Sequence, residues 1–477
     1  MDPTADGGPA PPAEGGASAA DMFGLPVSAA SPECARSVDA YFEAVLAYRP
    51  FVAWAAVDEA AAKHPQCHLV QVLAADYAFC SGNAARAKEL LSGLAAADAA
   101  PWTWREQAYL EAWSSWVLRS DPGAAYEKLL EVVGRHPEDL FAVKRGHIFG
   151  LILGDGAKIL AIVQQAAAAA AKDPPPRFLH GMWSFGLEQQ GRYEEAEATA
   201  RDGLAHEATL GRDAWLDHAL AHALYFQGED RLEEAVEFLE SRCSTWNAEE
   251  LHPFLYTHCW WHLALLHCES RETEAALKIF DERLWPAELA HMRGDPQVQL
   301  NALNLLWRLD TRGVGTETKP RWAQVVAGCR GFSLPAAEGG ADAAAPPCLH
   351  SDLLLDVLLV RALCVDAGSD ASALDAFLES VAAHGREMAA NAGADGAAER
   401  AKAYVGIAEA IAVLFRSDQP EAGLPARHSQ ARQQLRDLQE QWGSIGGSEE
   451  QRGILLEAVE GPIICGAPEK NYDKLFF

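Results

Sequence analysis

No run of about 18 uncharged apolar residues occurs in the chain, so no segment of it is expected to cross a bilayer as a helix. Nor does any alternating strand pattern bounded by hairpin turns interrupt its helical periodicity. Basic residues are scarce: 39 Lys and Arg face 68 Asp and Glu, giving a net charge of −29 and a pI near 4.9. Such a surface repels nucleic acid and anionic membranes, so neither is an expected partner, and a basic or neutral one is favoured. The ten cysteines contain no Cys-x-x-Cys pair. Several of them (Cys80, Cys259, Cys268, Cys364) fall in apolar helical patterns, which suits reduced core thiols better than a disulfide framework or zinc knuckle. The N-terminal residues lack an apolar h-region and the closing Lys-Leu-Phe-Phe is no known address, so a cytoplasmic location is expected. No complete catalytic motif stands anywhere. Gly446-Gly447-Ser448 has neither a following lysine nor a preceding strand, and reads as a helix cap with Gln451 rather than a phosphate loop.

What the chain has instead is helices, one after another. Residues 1–30, rich in Pro, Gly, Ala and Asp, are expected to be a disordered acidic tail. From there to 334 apolar residues recur at helical spacing, punctuated by Pro50, His64-Pro65 and His136-Pro137, since proline closes one helix and starts the next. Ala, Gly and Pro at 335–347 predict a low-complexity loop, 348–465 further helical repeats, and 466–477 an irregular tail.

The repeat signal is densest over 178–284. Gly191, Tyr193 and Ala196 fall where a tetratricopeptide repeat places its turn glycine, aromatic and small packing residue. Small residues return at Ala235 and Ala276, at intervals of roughly 40 residues against roughly 34 in the standard repeat. The predicted fold is all-α: a tetratricopeptide-like superhelix of antiparallel helix pairs, an α-solenoid, whose C-terminal helices approach or cover its concave face.

Dispersed residues also carry a family resemblance. They are Arg105-Glu106-Gln107; His136-Pro137 with Asp139, Leu140, Ala142 and Lys144; Ser184-Phe185-Gly186-Leu187; and Asp213-Ala214-Trp215 with His218, Ala221 and His222. They continue with His258 and Trp261-His262, Arg308-Leu309, Arg321-Trp322, and Gly446-Gly447-Ser448 with Gln451-Arg452. Over about residues 31 to 465 the chain resembles the tetratricopeptide repeat protein 38 family. The resemblance implies an all-helical repeat protein and assigns no reaction. The chain departs from the family pattern near 355, where Asp356-Val357-Leu358 replaces an expected histidine, and at Gly453, which replaces an acidic residue.

Two histidine pairs fall inside the repeat stretch. His218/His222 and His258/His262 are each spaced i,i+4, which puts both rings of a pair on one helix face. If the two helices are first helices of neighbouring repeats, four imidazoles converge on the concave face. Imidazole binds zinc, iron, copper and nickel and titrates near neutrality, so a divalent transition metal or an acid–base site is one reading; Asp217, His180 and His147 are candidate supporting groups. Neither pair contains the glutamate of His-Glu-x-x-His. The other reading is helix–helix packing.

The function expected first is a ligand- or interaction-protein, not an enzyme. Its groove, lined by His180, Trp183, Trp215, His218, His222, His258, Trp261 and His262, would take a peptide segment or small molecule. The alternative is an enzyme of unspecified reaction, metal-dependent through His218, His222, His258 and His262. Arg105 is expected in a polar bridge between helices rather than on a carboxylate ligand, and Lys144-Arg145 on a solvated face rather than on an anion.

Overall fold

The computed structural model of the chain describes residues 19–28, 31–96, 102–170, 174–335, 350–366, 371–390, 396–418 and 420–460. The expected loop at 335–347, except for its first residue, and the expected tail at 466–477 lie outside them. Helices account for almost all regular structure among the described residues, with one two-residue strand pair. No described helix is long and apolar enough to cross a membrane, and no disulfide joins the described cysteines. Two compact units are present, Met1–Ala142 and Val143–Phe477. The sequence reading draws no boundary there, because the proline punctuation is alike on both sides.

In the first unit the helices Pro32–Leu46, Pro50–Lys63, His68–Cys80, Ala84–Ala96, Trp104–Trp113 and Pro122–Arg135 pack in sequence order. Part of the stretch expected to be disordered belongs to this unit. Residues 1–18 and 29–30 lie outside the described residues, but Ala19–Ala20 pairs antiparallel with Pro26–Val27. The turn between them buries Asp21, whose Oδ1 accepts from the Phe23 and Leu25 amides (both 3.0 Å) and whose Oδ2 accepts from Arg105 (2.5 Å). Composition alone missed this anchor, because a few residues hold the segment: the Asp21–Arg105 pair, the buried Leu25 and Val27, and Phe23 stacked on Phe42 at 5.3 Å. Arg105 also reaches Asp139 (3.3 Å), and Tyr109 donates to the same carboxylate (2.7 Å). Arg105 is thus an internal bridge, as expected. Its neighbour Glu106 completes a capping box with Thr103 and accepts from the Ser28 amide at 2.9 Å, fixing the end of the same segment.

In the second unit the helices Leu179–Glu188, Ala214–Tyr225, Pro253–Glu269, Pro296–Thr311 and Leu353–Asp366 pack each on the next. Intervening partners such as Tyr193–Ala205 and Leu232–Arg242 lie beside them. Ala196, Ala235 and Ala276 are all fully buried, as small residues at close helix crossings should be. Gly191 makes its turn at φ +67°, a conformation that an L side chain resists. The expected capping box at Ser448 and Gln451 forms, each side chain bonding the other's amide (3.2 and 2.9 Å), and it opens the helix Glu449–Glu460.

Two predictions follow from this scaffold. Asp21→Ala leaves Arg105 buried with one carboxylate fewer and should cost about 2–4 kcal/mol in urea unfolding; no loss would mean the 19–28 segment adds nothing to the first unit. Glu197 accepts from Arg231, Gln227 and Arg201 at 2.7–3.0 Å, and the Arg231 guanidinium foremost holds its carboxyl down at about 2, against an ordinary 4.5. A lowered carboxyl stabilises the fold fully above the unfolded value and loses that contribution as pH falls through the folded one. Glu197→Gln should therefore cost about 1 kcal/mol at pH 7, solvent screening considered, and flatten the loss between pH 4.5 and 2, read by urea midpoints across that window.

Candidate metal centre

Helix Ala214–Tyr225 starts at Asp213, whose side chain caps the Trp215 amide; helix Pro253–Glu269 starts at His252 with Pro253 in its first turn. Both are apolar on nearly every side. Every residue from Leu255 to Glu269 is buried, so this helix has no solvent face on which to place its histidines. The i,i+4 spacing then directs all four rings to the contact between the two helices.

There they meet. Ring centroids lie 4.4 Å apart for His218 and His222, 4.4 Å for His222 and His262, 4.5 Å for His258 and His262, and 4.9 Å for His218 and His258. One nitrogen from each ring falls within 4.8 Å of the other three. None of the four residues is more than 3% exposed.

Two carboxylates come from distant parts of the chain. Glu450, from the helix Glu449–Glu460, brings Oε2 to 3.0 Å from His222 Nε2 and 3.3 Å from His262 Nδ1. Glu188, at the end of Leu179–Glu188, approaches His222 Nδ1 at 3.4 Å. These atoms are close without being aligned: both nitrogens of His218, both of His222 and both oxygens of Glu450 make no hydrogen bond. Buried polar atoms are normally satisfied, and a group of them facing one space needs a partner of another kind.

His258 is oriented from outside the cluster. Asn301 donates through Nδ2 to Thr257 Oγ1 (3.1 Å), which turns its Oδ1 toward His258 Nδ1 (3.0 Å). That nitrogen carries the proton, and the Nε2 lone pair is left facing inward. Trp261 stacks on the same ring at 5.2 Å, while Phe185 and Trp215 wall His218 at 5.6 and 4.4 Å.

Burial sets the protonation states. It pushes His218 and His262 well below the usual imidazole range, helped by the neighbouring rings, and takes His258 down to about 4. His222 is the exception: burial lowers it, but Glu450 and Glu188 outweigh burial and hold it above its ordinary value. Burial also raises Glu450, against the pull of His222. Three imidazoles are thus neutral, and two of them meet directly: His258 Nε2 lies 3.1 Å from His262 Nε2, so in the ligand-free chain His262 donates to His258 and an ion would have to replace that shared proton.

The other expected site residues are placed elsewhere. His180 faces Asp202 at 3.1 Å, and Trp183 packs half-buried against Leu160, Leu187, Ala196 and Ala223. Asp217 pairs with Arg242 (2.8 Å) and His147 touches Phe185 and Trp215, so neither supplies the carboxylate or supporting group expected of it. Lys144 is no solvated side chain: it is 2% exposed, with Nζ 4.5 Å from the Trp215 ring, and burial takes it down to about 7 against the pull of Asp213. An open groove along these residues is not what they form, since all but Trp183 are buried. Sequence reasoning missed Glu450, Glu188 and Asn301. The capping box had marked the helix that carries Glu450, but nothing pointed to its inward turn.

No protein-family model and no solved structure matches the chain.

If the unpartnered nitrogens serve a ligand and not the fold, removing a pair of them should help the ligand-free protein. His218→Leu should raise the stability of chelator-treated protein by about 1–2 kcal/mol in urea unfolding. A clear loss would assign His218 to packing.

Proposed function

We propose that the chain is a metal-dependent helical-repeat protein, related to the tetratricopeptide repeat protein 38 family, that holds a divalent transition ion through His218, His222, His258 and His262. Glu450 is the carboxylate ligand and Glu188 supports His222. One observation carries the reading: four imidazoles, fully shut from water, place nitrogens within 4.8 Å of one another, while His218 and His222 make no hydrogen bond at all. Packing histidines bond to carbonyls or carboxylates; neither nitrogen of His218 or His222 does.

Donor chemistry narrows the ion. Four nitrogens and a carboxylate exceed the four donors of a structural zinc site and suit a five- or six-coordinate ion such as iron(II). A peptide groove is the weaker reading, because the residues assigned to it lie inside the second unit. The solenoid arrangement itself finds support in the successive packing of alternate helices, with the intervening ones beside them. A cytoplasmic home suits the acidic chain and the free thiols of its described cysteines.

Elemental analysis of protein purified without chelator or affinity-tag metal should find close to one ion per chain. The double variant His218→Ala/His262→Ala should lose it, and Glu450→Gln should weaken binding by roughly tenfold or more. Substoichiometric metal, with thermal stability unmoved by added iron(II) or zinc, would overturn the proposal.

A further inference from the structure

A second histidine cluster in the second unit is arranged in the opposite manner, as a chain of hydrogen bonds rather than a convergence of lone pairs. His350 Nδ1 lies 3.0 Å from Asp356 Oδ2, and His350 Nε2 lies 2.5 Å from Ser380 Oγ. Tyr404 donates its hydroxyl to the same Asp356 oxygen at 2.6 Å. From this geometry we infer that Ser380, His350 and Asp356 form a nucleophilic relay, separate from the metal centre, that takes activated acyl groups such as aryl esters.

The tautomer follows from the partners. A carboxylate oxygen facing Nδ1 demands a proton there, which leaves the Nε2 lone pair to accept from the serine hydroxyl. That is the base a serine nucleophile requires, with the acid behind it fixed by a further donor, and such a constellation is recognised by geometry rather than by sequence position. Exposure rises along the relay in the right direction: the Asp356 side chain is 2% exposed, His350 is 9% and Ser380 is half-buried. His384 stacks on the His350 ring at 4.9 Å and 16°, holding its plane. His350 itself has φ +60°, a left-handed conformation rare outside glycine and the kind of strain that collects at functional positions.

In the acylation step, Ser380 Oγ bonds to the carbonyl carbon as its proton passes to His350 Nε2. The aryloxide leaves and takes that proton from the imidazolium. Water then attacks the acyl-serine, gives its proton to Nε2, and releases the acid as Oγ recovers the proton. Ser380 lies in the interior of the helix Ser372–Ala390, whose amides are consumed by the helix itself. The helix thus supplies no oxyanion hole, which confines the reaction to acyl groups with good leaving groups and excludes amides.

The test is covalent. The full chain, treated with a fluorophosphonate at pH 8, should lose fluoride and carry the phosphonyl group on the peptide containing Ser380, mapped by mass spectrometry. p-Nitrophenyl acetate should give a burst of about one equivalent of nitrophenol per chain. Ser380→Ala should abolish both, and Asp356→Asn should slow labelling at least tenfold with the thermal midpoint little changed. An unmodified Ser380 in the wild-type protein, a burst that survives in Ser380→Ala, or Asp356→Asn labelled at the wild-type rate would overturn the proposal. The mapping uses the unaltered chain, so it stands even if a variant fails to fold.

Discussion

Four imidazoles withdrawn from water must be satisfied by something other than water, and the interior of the second unit is arranged around that constraint. Each ring brings two nitrogens into a region where an unmet hydrogen bond costs about 1–3 kcal/mol. The surrounding helices cannot relieve the cost through their backbones, whose donors and acceptors are already paired. Relief has to come from side chains sent in from elsewhere or from a bound ion. Only part of it comes from side chains: Asn301 meets His258 Nδ1, His258 and His262 meet each other through Nε2 at 3.1 Å, and Glu450 and Glu188 supply charge to His222 without aligned hydrogen bonds.

The helix Pro296–Thr311 does most of the positioning. Asn301 orients His258, Asn304 donates to the Gln451 carbonyl at 2.9 Å, and Arg308 bonds the Glu450 carbonyl at 2.6 Å and Glu457 at 3.0 Å. These three residues stand at i, i+3 and i+7, a single stripe of one helix face. One end of the stripe sets a ligand ring and the other holds the helix that delivers Glu450. The stripe therefore fixes the distance between imidazoles and carboxylate, groups that lie far apart in the chain. Arg105 plays a comparable part in the first unit, where one buried guanidinium ties Asp21 and Asp139 to a common point. In both places a buried arginine pays for its desolvation with two anchors, so loss of one partner is felt far along the chain.

The helices and the histidine pairs were legible because each rests on a short-range rule: proline punctuation for the first, i,i+4 spacing for the second. Glu450 and Glu188 were not, since in a chain with 68 acidic residues no local rule separates the two that turn inward. The stripe at Asn301, Asn304 and Arg308 has a helical period that a reader can find, but its polar members are embedded in Leu-Asn-Ala-Leu-Asn-Leu-Leu-Trp-Arg-Leu, which reads as an apolar helix. Composition misjudged residues 19–28 because it averages over a window, whereas a few placed residues, Asp21 on Arg105 and the buried Leu25 and Val27 among them, hold the segment. His180 and Trp183 looked like groove residues for the same reason that they proved to be elsewhere: aromatic density marks packing as readily as binding.

The two histidine clusters show how far environment outranks residue type. His350 has the Asp356 carboxylate and the Tyr404 hydroxyl on Nδ1 and the Ser380 hydroxyl on Nε2, so the Nδ1 proton is held and the exchangeable one passes between Nε2 and Ser380. His218 has no partner on either nitrogen and three other imidazoles within 5 Å, so no line exists for a proton to follow. A ring in the first arrangement is suited to transfer, and a ring in the second to donate a lone pair. The difference is written in what the neighbouring helices present: at His350 they offer side chains of alternating donor and acceptor character, and at His218 they offer more imidazole. Like groups facing one another without water are stable together when a cation lies between them, which is why the convergence of His218, His222, His258 and His262 points to an ion more strongly than any one of them could.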